Sequence, residues 1–97
     1  MDLLILKILA LEPMHGYGIS QRLEQITHGV FRVNAGTLFP ALYRLEEEGW
    51  VEGEWRPSEN NRRSRYYTLT KSGRKQLSAV AKYWDTVSVA IRQVLEA

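Results

Sequence analysis

The chain has no cysteine among its 97 residues, which excludes a disulfide scaffold, a thiolate metal site and a cysteine nucleophile. It has little else that supports catalysis. His15 and His28 are the only histidines, with no metal-ligand spacing around them, so neither a metal site nor a cofactor site is expected. No apolar run is longer than Leu3 to Leu6, far short of a membrane span, and no basic stretch precedes Leu3 to Leu11 as it would in a signal peptide. The expectation is a cytoplasmic protein, complete or nearly complete as one small domain. A chain this short buries only a modest fraction of its surface and gains from a second subunit.

The charge is unevenly placed. Net charge is only +2, yet residues 54 to 75 set Arg56, Arg62, Arg63, Arg65, Lys71, Arg74 and Lys75 against Glu54 and Glu59 alone. Cations concentrated on one stretch make a footprint for a polyanion that an even distribution does not. Glu46, Glu47 and Glu48 are consecutive at a helix end and therefore diverge. They read as a solvated terminus, with only Glu47 on the outward face, and not as paired catalytic acids. No catalytic residues are expected, and the chain reads as a non-enzyme.

Periodicity organises the rest. Apolar residues on nearly every side of a first helix, from Leu3 to Leu11, call for cover from more than one direction, with Leu4 and Ile8 facing a second chain. Pro13 to Gly16 ends it. A second helix from about Gly16 to His28 carries the stripe Ile19, Leu23 and Ile26 and closes at Gly29. A third begins near Gly36, because Pro40 is tolerated only within the first turn, with Asn34 or Thr37 as its cap. Its inward face is Leu38, Ala41, Leu42 and Leu45, leaving Phe39, Pro40, Tyr43, Arg44 and Glu47 outward. After Gly49 the period changes to two, and Val51 to Leu69 reads as a hairpin with Trp55, Tyr67 and Leu69 on its apolar face. Thr70 caps a last helix from Lys71 to Glu96. Its heptad seam of Leu77, Val80, Trp84, Val87, Ile91 and Val94 is longer than the body can cover and implies a homodimer.

The implied fold is α+β, mainly α: a winged helix-turn-helix of three helices and a two-stranded β wing over residues 1–70, then a long dimerisation helix over 71–97. In that arrangement the third helix enters the major groove of double-stranded DNA.

The stretches His15-Gly16-Tyr17-Gly18-Ile19, Gly36 to Glu46, Gly49-Trp50 and Arg62 to Thr70 resemble the PadR family of bacterial transcriptional regulators in both order and spacing. The short C-terminal part is similar to the subgroup with a single dimerisation helix. The resemblance implies a homodimeric repressor on a pseudo-palindromic operator. Asn34, Thr37, Tyr43 and Arg44 would meet base edges or phosphates. Asn60, Asn61, Arg62, Arg63 and Arg65 would hold the backbone or probe the minor groove, and His15 and Tyr17 would sit where helix N-terminal amides bind phosphate. His15 has an equally good reading as a turn-stabilising hydrogen bond, and Arg65 as a partner of Glu52 or Glu54. Phe39 stands where the family more often has tyrosine, so no phosphate contact is carried over to it. The resemblance also makes Trp84 a candidate stacking surface for a small planar aromatic effector. The alternative function is a winged-helix module that docks an acidic protein.

Overall fold

The computed structural model describes residues 1–57 and 63–97; Asn60, Asn61 and Arg62 lie outside the described residues. In chain order the elements are α1 (Asp2–Leu11), β1 (Met14–His15), α2 (Gly16–Ile26), α3 (Ala35–Glu47), β2 (Val51–Pro57), β3 (Arg63–Leu69) and α4 (Lys71–Leu95). The three helices, the wing and the long final helix are those expected from the sequence. The sheet has one strand more, antiparallel in the order β1-β3-β2. Pro13 accounts for the addition: it biases Glu12 to an extended backbone, φ −168° and ψ 156°, and the chain then runs beside β3, pairing Met14 with Tyr67 and His15 with Tyr66.

The core forms where the helices meet the base of the wing. Ile5, Leu6, Ile8 and Leu9 of α1 pack with Ile19 of α2, with Leu38, Ala41, Leu42 and Leu45 of α3, and with Val51, Tyr67 and Leu69 of the sheet. The inward face of α3 is thus the one its periodicity indicates. Ile8, expected at a subunit contact, is only 4% exposed inside its own protomer, because an apolar helix turns its most central side toward α3 and the sheet; Leu4 remains half-buried.

Local chemistry sets the helix ends. The Thr27 hydroxyl donates to the Leu23 carbonyl at 2.8 Å and accepts from the Phe31 N–H at 3.0 Å, which stops α2 at Ile26 and leaves that residue exposed, outside the expected stripe. Asn34 caps α3, its Oδ1 accepting from the Thr37 N–H at 3.0 Å. The helix consequently starts at Ala35, and Pro40 lies in its second turn. The Gly36 carbonyl that lacks a donor there belongs to an exposed residue, where water can satisfy it.

Thr70 is the cap of α4 as expected, accepting from the Gly73 N–H at 3.0 Å. It also sews the helix to the end of α3: the Thr70 and Ser72 hydroxyls both donate to the Gly49 carbonyl, at 2.7 and 2.9 Å, and the Thr70 N–H donates to the Trp50 carbonyl. Gly73 is buried so tightly that a Cβ would overlap the Trp50 carbonyl. Leu77 packs on the core of its own protomer, so the first turns of α4 belong to the body, in a molecule 57 Å long and 29 by 22 Å across. Among the described residues no helix is long and apolar enough to cross a membrane.

The obstacle at Gly73 is backbone and cannot rotate away. Gly73→Ala should lower the unfolding free energy by about 3 kcal/mol, read as a shifted urea midpoint; an unchanged midpoint would show that this junction does not anchor α4.

Candidate nucleic-acid interface

The outer face of α3 and the wing border one groove of about 640 Å³, lined by Phe39, Tyr43, Glu46 and Glu47 from the helix and by Trp55, Arg65 and Tyr67 from the sheet. Its wing wall stands on an ion pair that sequence spacing does not reveal. The register sets Gly53 opposite Tyr67 and Trp55 opposite Arg65. Gly53 has no side chain, so the Arg65 guanidinium lies across it and pairs with Glu46 of α3. The same Glu46 oxygen accepts from the Gly53 N–H at 3.3 Å. Glu46 is therefore the half-buried bracket between α3 and the wing and no member of a solvated terminus. Arg65, weighed as a partner of Glu52 or Glu54, is held by α3 instead.

Trp55 was expected on the apolar face of the hairpin, but it lies beyond the edge of the body and is 54% exposed. Arginines cover it: the guanidinium groups of Arg65 and Arg63 sit 5.5 and 5.7 Å from its ring centroid, a cation–π arrangement that stiffens the wing. Arg56 lies 5.1 Å from the Tyr66 ring and 3.4 Å from Glu54.

On α3, Asn34, Thr37 and Tyr43 are exposed. Hydrogen bonding to Glu47, and then the charge of that carboxylate, raise the Tyr43 phenol above its ordinary pKa; the phenol stays protonated and able to donate. Phe39 lies against Gly16, where a Cβ would meet its ring, so it packs the start of α2 onto α3. Arg44 is engaged. Its Nη1 and Nη2 donate to the two Asp2 oxygens at 2.7 and 2.6 Å.

At the start of α2, His15 takes its turn-stabilising role: Nδ1 accepts from the Gly18 N–H at 2.9 Å, and the ring meets Tyr66 edge-on at 5.4 Å. Tyr17 is exposed, its hydroxyl accepting from Gln21. Along α4, Val80 and Val87 are half-buried, whereas Trp84, Ile91 and Val94 are 49, 53 and 75% exposed. Trp84 and Ser88 border a cavity of about 380 Å³ completed by Met1, Leu3, Leu4 and Phe31. Phe31 gave no signal in the sequence, because it follows α2 outside any periodic run.

The Arg44 hydrogen bonds hold the Asp2 carboxyl below its ordinary pKa against an opposing contribution from burial. A carboxyl with a folded pKa lowered below the unfolded value stabilises above the unfolded pKa, and the contribution disappears as pH falls through the folded one. The stability difference between wild type and Asp2→Asn should hold steady above about pH 5 and shrink as pH falls through the lowered pKa of the folded state. Thermal melts across that range check it, and a difference independent of pH would show that the pair contributes no charge-dependent stability.

Comparison with known proteins agrees with this architecture. The family model described as the transcriptional regulator PadR-like family matches residues 5–79. A transcriptional regulator of Mycobacterium tuberculosis is 40% identical over 65 residues, covering 67% of this chain and 57% of that protein. The solved structure of a transcriptional regulator from Clostridium thermocellum superposes with a TM-score of 0.87 at 27% identity, over 96% of this chain and 90% of the other. A PadR-like transcriptional regulator from Bacillus cereus gives 0.85 at 30% identity, over 99% and 91%. The family pattern runs from Ile5 into the part of α4 that is packed on the body, and the fold is shared nearly end to end: the chain belongs to the PadR-like family of transcriptional regulators.

Proposed function

We propose that this regulator is a homodimeric repressor that binds a pseudo-palindromic operator in double-stranded DNA. The observation that carries the reading is the common groove: the outer side of α3 and the arginine-bearing wing form the two walls of one depression. A reading helix can then enter the major groove while the wing follows the adjoining backbone. Asn34, Thr37 and Tyr43 are the proposed reading set, Tyr17 a phosphate contact at the start of α2, and Arg63, with Arg62, Asn60 and Asn61, the backbone or minor-groove contacts. Pairing through Trp84, Val87, Ile91 and Val94 would cover the apolar stripe that α4 leaves open and place two reading helices on one duplex. The protein would act in the cytoplasm, by binding and not by chemistry.

The α4 cavity supports an effector reading. A small planar aromatic molecule would stack on Trp84, with Phe31, Leu3 and Leu4 providing apolar walls.

Affinity for the regulator's own promoter region should fall steeply with salt. Arg63→Ala should weaken binding to all sequences and flatten the log–log salt slope by about 0.9, whereas Thr37→Ala should chiefly relax base preference. Gel shifts across a salt series test both, and binding that ignores salt would defeat the proposal. Recovery of an acidic protein from nuclease-treated extract, with no DNA binding, would favour the protein-docking alternative. Titrating planar cationic and phenolic compounds should quench tryptophan emission in wild type and not in Trp84→Phe; equal responses would place any binding elsewhere.

A further inference from the structure

Arg44 and Asp2 are 42 positions apart, yet their side chains meet end on through two hydrogen bonds of 2.7 and 2.6 Å. This contact bears on how the reading helix is aimed. The paired end of the guanidinium is one of the forks that would otherwise grip a guanine or a phosphate, and a carboxylate already fills it. Arg44 also lies in the last turn of α3, whereas reading helices meet base edges mainly through their N-terminal residues. An anion beside it would further repel an approaching phosphate. Asp2, for its part, belongs to the first turn of α1, and its neighbours Met1, Leu3 and Leu4 border the cavity that contains Trp84.

We propose that Arg44 is a positioning residue and not a DNA contact: its pair with Asp2 ties the C-terminal half of α3 to the start of α1, beside the surface through which α4 would pair. The inference rests on the reading of the protein as a dimeric operator binder. In such a dimer the bond holds each reading helix at a set distance and tilt from the subunit interface. It thereby determines which half-site spacing is preferred, while base preference within a half-site comes from the first turns of α3.

The test uses the full-length protein and DNA duplexes carrying the sequence selected by wild type, with the half-sites at their native separation or one base pair closer or farther. Asp2→Asn and Arg44→Met should each reduce the preference for native spacing by about three- to tenfold, with losses that do not add in the double variant. The salt slope and the preferred bases should stay as in wild type. The charge swap combining Asp2→Arg with Arg44→Asp should recover most of the spacing preference, a rescue that a DNA-contacting arginine would not show. Flattening of the salt slope by about 0.9 in Arg44→Met alone would overturn the inference and assign Arg44 to a phosphate. An altered base preference in that variant alone would overturn it in favour of base reading. Full spacing preference in both single variants, or a swap that melts like wild type without rescue, would also defeat it. Absence of DNA binding by wild type would remove the operator reading and this inference together, whereas wild-type binding with indifferent variants removes the inference only.

Discussion

Burial of Leu38, Leu42 and Leu45 against α1 and the sheet sets the rotation of α3 about its own axis, and most of what this regulator presents to the outside depends on that rotation. A turn of about 100° per residue places Tyr43 and Glu47 outward once those leucines are inward. The alternative rotations would bury Tyr43 or expose leucines, and either costs more than a small domain can tolerate. The outward face of α3 is therefore a consequence of the core. Gly73 extends the same logic to α4, whose start is pressed onto the Trp50 carbonyl and whose direction from the body follows from that contact.

Charge is organised more tightly than the composition suggests. Several arginines of α3 and the wing meet carboxylates of their own chain: Arg44 with Asp2, Arg65 with Glu46, and Arg56 with Glu54. The pairs made by α3 link it to α1 on one side and to β3 on the other, so they resist tilting of a helix that packing alone constrains mainly in rotation. Exposed pairs add little to global stability. The two hydrogen bonds that the planar Arg44 guanidinium makes to Asp2 define a direction as well as a distance. The cation excess expected to face a polyanion is correspondingly smaller than a count of arginines implies.

Much of the fold was legible in the sequence because it follows from short-range rules. The inward face of α3, the Asn34 and Thr70 caps, the change of period at Gly49 and the extent of α4 each depend on residues within a few positions of one another. Expectations resting on longer separations fared differently. A helix apolar all round, as α1 is, does not announce which side its own core will take, so Ile8 read as a subunit contact and is interior. Trp55 obeys the alternation of its strand, yet alternation says nothing of where the body ends beneath it. Pro13 indicated a break, and only the proximity of β3 turned that break into a strand.

The sequence by itself determined the order of the four helices and the wing, the family and the two faces of α3, since periodicity, capping and ordered motifs act along the chain. Tertiary structure alone decided the partners of Glu46, Asp2, Arg44 and Arg65, and the meeting of Phe31 with Trp84 around one cavity. Residues 19 and 42 positions apart come within hydrogen-bond reach only after the core has positioned the helices that carry them. No local pattern encodes an encounter between side chains whose backbones are brought together by the burial of others.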